Sequence, residues 1–159
     1  MGQKIEEKIS EKLNRIKVKD VMTRSPITTT EEETLSDLAD LLIKTKISGV
    51  PVLNKDKKIV GIITTTDFLD LMGKIKQGSF EEVGHAANVN PLVKGVMTKN
   101  VVTITDGHTL LDAVNIMCEK NIHTLPVVKD ERLVGVIGRR DVIMYFYAAV
   151  RDSIEELKQ

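Results

Sequence analysis

Two seven-residue stretches carry polar side chains at a spacing that could bind a ligand. GIITTTD (residues 61–67) and GVIGRRD (residues 135–141) share a Gly, an apolar run and a closing Asp. Each passes from a strand pattern into a helical one, so the free amides and positive dipole end of a helix would face an anionic or polyhydroxyl ligand there. Thr64-x-x-Asp67 also fits a capping box that merely starts a helix, and both interpretations stand.

Composition limits the ligands and partners that the chain could have. Lys plus Arg and Asp plus Glu both total 23 in 159 residues, so no net field would attract nucleic acid or an anionic membrane. The chain has no Trp and few other aromatic residues, so it lacks the stacking platform of a single-strand binder. No apolar run approaches the about 18 residues of a membrane span, and we expect a soluble cytoplasmic protein.

Residue types that support catalysis or metal binding are sparse. Cys118 is the only cysteine, and its position in AVNIMCEK predicts a thiol packed on a buried helix face rather than a nucleophile. His85 has no Cys or second His nearby, which predicts a surface residue. No nucleophile–base arrangement, metal cluster or phosphate-cradling glycine loop is present, so the sequence indicates a protein without catalytic activity or cofactor.

An internal duplication organises the chain. Residues 18–68 align with residues 93–142, and both copies contain VMT, a Thr ten residues after the first Val of each copy, a Thr-Leu-x-Asp box, a Pro-Val step and a VG-x-I-x-x-x-D ending. Each copy predicts the order β-α-β-β-α. A short strand is expected at 27–28 or 102–103, a helix after the capping boxes 34–37 and 109–112, and a second helix from Asp67 or Asp141.

Apolar periodicity supports these elements. Every third or fourth residue is apolar in the two predicted first helices, at Leu35, Leu38, Ala39 and Leu42 and at Leu110, Ala113, Val114 and Met117. β-branched runs at 50–53 and 59–63, and at 125–128 and 133–137, flank polar turns and predict hairpins. Ile5, Ile9, Leu13 and Ile16 predict an amphipathic N-terminal helix that packs on its own chain, with binding of a partner as the alternative.

The predicted divisions are 1–17 (helix), 18–73 (first repeat), 74–92 (connector) and 93–159 (second repeat and C-terminal helix).

The paired V-x-x-V-M-T segments, the apolar-x-x-x-Pro-Val steps and the G-h-h-x-x-x-D endings resemble a tandem cystathionine β-synthase (CBS) domain pair, or Bateman module. The resemblance covers residue 18 to about residue 147. It implies an α/β (α+β) fold in which two repeats pack sheet against sheet around a pseudo-two-fold axis. It also implies two clefts for adenosine compounds, and pairing of two modules into a homodimeric disc. A helix face carrying Ile143 and Tyr147 is expected to serve that pairing.

The same resemblance assigns roles to the two heptads. Thr64 and Asp67 match the hydroxyl-x-x-Asp motif that holds the two ribose hydroxyls. Asp141 keeps the carboxylate, but Gly138 replaces the hydroxyl residue. Arg139 and Arg140 instead offer guanidinium groups that suit a phosphate, although a solvated helix turn would also explain them. The two sites are therefore expected to be unequal.

Base recognition in the family uses backbone groups and apolar side chains near the Pro step. The matching residues are Ile27, Thr28, Ile47, Ser48, Gly49, Val50, Pro51, Val102, Thr103, Ile122, His123, Thr124, Leu125 and Pro126. The stretch IHTLPV resembles one in the regulatory subunit of AMP-activated protein kinase, where a His-Arg pair approaches phosphates, but Thr124 stands in place of that Arg. His123 without a ligand role, and plain strand packing of the other side chains, are the alternatives. Family sites are composite, which would pair Asp67 with 102–103 and 122–125, and Asp141 with 27–28 and 47–50.

The sequence thus predicts a non-catalytic regulatory module that binds adenosine-type ligands, namely AMP, ADP, ATP or S-adenosylmethionine, in clefts between two CBS repeats. Adenine nucleotides would give it a role in energy sensing, through a regulated protein that the sequence does not identify. The alternative is an interaction scaffold with vestigial clefts. Both Asp67 and Asp141 are retained, which favours the binding module.

Overall fold

The structure, a computed structural model, describes residues 2–76 and 90–158. The chain forms two compact units, each with its own sheet and core. The central unit comprises Pro26–Val101, and the terminal unit comprises Met1–Ser25 and Val102–Gln159. His85 and most of the predicted connector lie outside the described residues.

Six helices and seven strands form the described chain. In order they are α1 (Gly2–Arg15), α2 (Val18–Val21), β1 (Thr23–Arg24), β2 (Thr29–Thr30), α3 (Leu35–Thr45), β3 (Gly49–Leu53), β4 (Ile59–Thr64), α4 (Thr65–Lys76), β5 (Ile104–Thr105), α5 (Leu110–Lys120), β6 (Thr124–Lys129), β7 (Arg132–Gly138) and α6 (Arg139–Lys158). A short 3-10 turn, Val93–Gly95, precedes β5. The combination of sheets and helices confirms the predicted α+β class.

The central unit contains a three-stranded sheet in the order β2-β3-β4. β2 runs parallel to β3, and β3 pairs antiparallel with β4. The turn between β3 and β4 is closed by the Asn54 side chain, whose Oδ1 accepts from the Asp56 and Lys58 amides at 3.0 and 2.9 Å. Its core combines one face of α3 with the sheet and the 93–97 segment, through Leu35, Leu38, Leu42, Val50, Val52, Ile63, Val93 and Met97.

The terminal unit contains a four-stranded sheet in the order β1-β7-β6-β5. The inner faces of α5 and α6 pack with the sheet, through buried residues that include Leu110, Ala113, Met117, Leu125, Val127, Ile137 and Ala149. α1 lies against α5 and α6, where Leu13 is buried and Ile9 and Ile16 pack on the same core. Packing of the N-terminal helix on its own chain is thereby confirmed.

Both predicted capping boxes start a helix. At α5 the box is complete: Thr109 Oγ1 accepts from the Asp112 amide at 3.1 Å, and Asp112 Oδ2 accepts from the Thr109 amide at 2.8 Å. That backbone hydrogen bond from Thr109 holds the pKa of Asp112 below its usual value. At α3, Thr34 Oγ1 accepts from the Asp37 amide at 3.3 Å and donates to Asp37 Oδ2 at 2.7 Å. Half of the box is present there, with the carboxylate bound to the hydroxyl.

The two compact units and the two sequence repeats divide the chain at different residues. The VMT segment of the first copy, residues 21–23, lies in the terminal unit, where β1 pairs with β7. The VMT segment of the second copy, residues 96–98, lies in the central unit, where Thr98 bridges to Ile62 on β4. Each sheet therefore receives an edge segment from the other copy of the repeat. The division at 18–73 and 93–159 stays a prediction from sequence.

Three predictions at the level of single elements need correction. The short strands lie at Thr29–Thr30 and Ile104–Thr105, two residues beyond the predicted positions, because those pairs reach the β3 and β6 backbones. Cys118 is exposed, because Leu110, Ala113 and Met117 define the buried face of α5 and the next residue points about 100° away. α4 and α6 begin at Thr65 and Arg139, two residues before the predicted Asp67 and Asp141, because these carboxylates accept from the amides that precede the helices, and α6 continues to Lys158.

Candidate functional site

The turn from β4 into α4 positions the carboxylate of Asp67 in the central unit. Thr64 is the last residue of β4, and its amide and hydroxyl donate to Asp67 Oδ2 at 2.6 and 2.8 Å. These bonds close the first turn of α4, so Asp67 does cap the helix. These two hydrogen bonds use Oδ2 of the carboxylate, and Oδ1 takes no part in the cap.

The second oxygen of Asp67 faces a residue from the other copy of the repeat. Thr98 Oγ1 donates to Asp67 Oδ1 at 3.3 Å. The backbone of Thr98 is held by two 2.9 Å hydrogen bonds with Ile62, one in each direction. Asp67 is half-buried and Thr98 is exposed, so the group of Thr64, Asp67 and Thr98 is reachable from solvent. Sequence reasoning missed Thr98, although its recurrence in both VMT segments was a signal.

The predicted base-holding segment of the central unit lies beside this turn. Gly49 pairs with Thr64 across the sheet, and the Thr65 amide donates to the Ser48 carbonyl at 2.9 Å. Val50 and Pro51 are buried, and Val50 belongs to the core, so their side chains serve strand packing. Ile47 is half-buried, whereas Ile27 and Thr28 are exposed just before β2. The segment therefore places the backbone of Ser48 and Gly49 beside the turn that carries Asp67. The composite pairing of each Asp with segments of the other repeat stays a prediction.

The terminal unit repeats this arrangement at the turn from β7 into α6. The Gly138 amide donates to Asp141 Oδ2 at 2.8 Å, which again caps the helix. The Arg139 amide donates to the His123 carbonyl at 2.9 Å, which joins the residue before β6 to the first residue of α6. In the part of the chain that the structure describes, Asp141 accepts no side-chain hydroxyl.

Basic side chains surround this second turn. Arg139, Arg140 and His123 are all exposed, and neither arginine forms an ion pair with any described residue. A Cβ on Gly138 would lie 3.6 Å from Asp141 Oδ2 and 3.8 Å from the His123 carbonyl, which is ordinary contact. Crowding at the Cβ position therefore does not require a glycine at residue 138. The turn carries more positive charge and fewer hydroxyls than its counterpart.

The remaining predicted residues of this unit divide into core and surface. Thr124, Leu125 and Pro126 are buried on β6, opposite Gly138, Ile137 and Val136. Val102 and Ile122 are half-buried at the edge of the core, and Thr103 is exposed. Strand packing thus accounts for Leu125 and Pro126 side chains, while Ile122, Val102 and Thr103 remain accessible.

Neither turn resembles a metal centre. Among residues 2–76 and 90–158, no group of three or more His, Cys, Asp or Glu side chains could hold a metal ion. None of the helices described there combines the length and hydrophobicity that crossing a membrane requires. Each turn contains a carboxylate that caps a helix with one oxygen and leaves the other oxygen outside the cap. Hydroxyl groups lie beside this carboxylate in the central unit, and arginine side chains accompany it in the terminal unit.

Comparison with known proteins identifies the family. The CBS domain model matches residues 18–74 and 93–148, which are most of the chain. The chain belongs to the CBS domain family. The resemblance inferred from the repeated motifs is thereby confirmed.

Individual proteins resemble this chain over most of its length. It is 36% identical to the uncharacterized protein MJ1426 of Methanocaldococcus jannaschii, over 79% of this chain and 88% of that protein. It is 32% identical to MJ1225 of the same organism, over 81% of this chain but only 46% of the relative. The CBS domain pair of MJ0100, solved in complex with 5′-methylthioadenosine and S-adenosyl-L-methionine, matches with a TM-score of 0.70 and 28% identity, over 83% of this chain and 96% of that one.

Proposed function

We propose that this chain is a regulatory, non-catalytic CBS module that binds adenosine-type ligands at its two strand-to-helix turns. The observation that carries the proposal is the geometry of Asp67, whose Oδ2 caps α4 while Oδ1 stays on the side of Thr98. A carboxylate can cap a helix and still accept from a ligand, because each oxygen has two lone pairs. The complex of MJ0100 with two adenosine compounds supports the choice of ligand class.

The two turns would recognise different parts of a ligand. The central turn presents a carboxylate and two hydroxyls, which suits a ribose diol. The terminal turn presents a carboxylate, two exposed arginines and His123, which suits a phosphate group. We expect neutral or cationic adenosine compounds, including S-adenosylmethionine, to depend most on Asp67. AMP, ADP and ATP would gain from the terminal turn, which would tie the module to the energy state of the cell.

A homodimer is the assembly that the exposed surface favours. α4 exposes Leu69 (63%) and Met72 (56%), and α6 exposes Ile143 (52%) and Tyr147 (66%). These residues follow helical spacing, so each helix presents an apolar face to solvent. A second copy of the chain would bury such faces. Light scattering of the parent and of Ile143→Glu tests this, and a parent that is monomeric at micromolar concentration contradicts it.

A ligand screen tests the binding function. Adenosine, AMP, ADP, ATP and S-adenosylmethionine would each be added in a thermal or urea melt. A ligand that binds only the folded state at 100 times its dissociation constant stabilises that state by about 2.7 kcal/mol. Asp67→Ala should weaken adenosine by roughly 1.5–3 kcal/mol through the loss of charge-assisted hydrogen bonds. A melt that none of the five ligands shifts would refute the proposal.

The interaction scaffold remains a second candidate, because both Asp67 and Asp141 cap helices and so need no ligand to explain them. Asp67→Asn distinguishes the two functions, since an amide oxygen still accepts from the Thr64 amide but carries no charge. A binding module would lose adenosine affinity with little change in the urea midpoint. A scaffold would show no nucleoside binding in either form.

A further inference from the structure

Thr98, whose hydroxyl donates to Asp67 Oδ1, is outside the Thr64-x-x-Asp67 motif and has no role in the site described so far. We propose that Thr98 is a ribose-recognition residue of the central turn, and that it makes this turn selective for ribose over deoxyribose. The inference rests on the proposed binding of adenosine compounds at Asp67. It goes beyond the Thr64-x-x-Asp67 motif, because Thr98 lies outside that motif in the other copy of the repeat.

The backbone of Thr98 is placed with little freedom. Its amide and carbonyl form a two-way bridge with Ile62, at 2.9 Å in each direction. The preceding Met97 is buried and lies against Gly61, where no side chain intervenes. The Thr98 Cβ therefore starts from a fixed position, and a single side-chain torsion decides where its hydroxyl points. A group held in this way loses little entropy when a ligand binds.

The hydrogen bond that Thr98 makes is the weakest of those on the carboxylate. Thr64 binds Oδ2 at 2.6 and 2.8 Å, whereas Thr98 reaches Oδ1 at 3.3 Å, near the outer limit of a hydrogen bond. A ribose hydroxyl can therefore displace it at small cost. The hydroxyl of Thr98 would then turn to the neighbouring ribose hydroxyl, since it can both donate and accept.

A ligand needs two adjacent hydroxyls to bind both the Asp67 carboxylate and the Thr98 hydroxyl. One donates to Asp67 Oδ1, and the other meets Thr98 Oγ1. A 2′-deoxyribose can satisfy only one of them, which leaves the other group without its partner and lowers affinity. The selectivity is thus a property of Thr98 together with Asp67, and a purely structural threonine would not produce it.

The terminal unit contains a natural comparison. Thr23 has the same place in its VMT segment and pairs with Val136 on β7, as Thr98 bridges to β4. In the described part of the chain, however, Thr23 forms no side-chain hydrogen bond to Asp141. Thr23→Val is accordingly a matched control for Thr98→Val, with the same chemical change at the equivalent position of the other VMT segment.

The test is calorimetric titration of the full chain with AMP and 2′-deoxy-AMP. Thr98→Val removes the hydroxyl but keeps the β-branch, and Thr98→Ser keeps the hydroxyl. We expect Thr98→Val to weaken AMP about 5- to 10-fold and to leave 2′-deoxy-AMP within about twofold of the parent. Thr98→Ser and Thr23→Val should keep the parent preference for ribose. Repeating the series in an Asp141→Asn background isolates the central turn, and urea midpoints report any loss of folding.

Each contrary outcome has its own meaning. If Thr98→Val keeps the parent's ribose preference while Asp67→Asn loses AMP, Thr98 has only a structural role and the proposal is wrong, although the proposed function survives. If neither variant changes AMP binding, the ligand lies elsewhere and the assignment of both residues falls. If the folded parent binds no adenine nucleotide or nucleoside, the proposed function fails, and the role of Thr98 fails with it.

Discussion

Met97 packs directly against Gly61, so that a Cβ on that glycine would come within 2.9 Å of Met97 Cγ and 3.2 Å of the Thr98 carbonyl. Met22 has the same relationship to Gly135, at 2.9 Å from Cγ and 3.0 Å from the Thr23 carbonyl. The Met of each VMT motif thus occupies the space that a Gly of the VG-x-I motif leaves free. This contact explains why both motifs recur, since each is the other's packing partner.

Replacement of that glycine should destabilise the central unit. In Gly61→Ala the new methyl overlaps the buried Met97 side chain and the fixed backbone carbonyl, and overpacking of this kind costs about 1–3 kcal/mol. Urea denaturation measures the change. In a Met97→Ala background the added cost should shrink, because the clashing side chain is gone.

Gly73 provides the control for this prediction. It lies within α4, and an added methyl group would have no atom within 4 Å of it, so Gly73→Ala should stabilise by about 0.5–1 kcal/mol through helix propensity. Equal effects of Gly61→Ala and Gly73→Ala would show that the Met97 contact has no energetic weight.

Lys46→Gly should make the protein more stable. Lys46 ends α3 in the left-handed conformation, with φ 56°, and Asn121 ends α5 in the same way, with φ 51°. A lysine in this region is strained, whereas glycine is not and asparagine tolerates it. We expect a gain of about 1 kcal/mol for Lys46→Gly and a smaller one for Asn121→Gly. A loss of stability in Lys46→Gly, measured by the urea midpoint, would contradict the strain.

Glu156 should make stability depend on pH in the acid range. Hydrogen bonds from Lys12 and Lys8, at 2.8 and 2.9 Å, lower its pKa from 4.5 to about 2. Because the folded pKa is the lower one, the stabilisation is complete above pH 4.5 and is lost as the pH falls toward 2.

The measurement compares urea midpoints of the parent and Glu156→Gln between pH 7 and pH 2. The variant should be the less stable at pH 7, and the difference should vanish at the acid end. Glu155→Gln serves as the control, because Glu155 is exposed and has no ion pair with any described residue. A difference between parent and Glu156→Gln that stays constant over the whole range would rule out the linkage.

The arginines of the terminal turn should discriminate ligands by phosphate count. Arg139→Gln and Arg140→Gln should weaken the binding of ATP more than that of AMP and leave the binding of adenosine unchanged. The expected loss for ATP is about 1 kcal/mol at low salt. The loss should decrease as salt is added, since it is a loss of interaction between charges. Arg132→Gln is the control, at the far end of β7. Equal losses for adenosine and ATP would exclude a phosphate contact.

Gly138→Thr should bring a hydroxyl to the second turn. The site has room for a Cβ, at 3.6 Å from Asp141 Oδ2, and Thr would recreate the Thr-x-x-Asp spacing of the central turn. We expect adenosine affinity at this turn to rise about threefold to tenfold over Gly138→Ala, which adds the Cβ without the hydroxyl. Calorimetry in an Asp67→Asn background measures it, and equal affinity of the two variants would show that the hydroxyl is not used.

Local signals in the sequence determined most of the individual elements. The apolar stripe of Leu35, Leu38 and Leu42 and the boxes at Thr34 and Thr109 placed α3 and α5, because periodicity and capping act within a few residues. The order of the repeated motifs identified the CBS family for the same reason, since it is readable along one chain.

Only the tertiary structure decided which sheet each edge segment joins and what surrounds Asp67. Residues 21–23 and 96–98 have the same sequence, so local propensity alone does not determine which of them pairs with β4 and which with β7. The choice depends on contacts between distant residues, such as Met97 with Gly61 and Thr98 with Asp67. The exposure of Cys118 also depends on tertiary packing. The packing of the whole helix determines which face of α5 meets the core, whatever the apolar character of one residue.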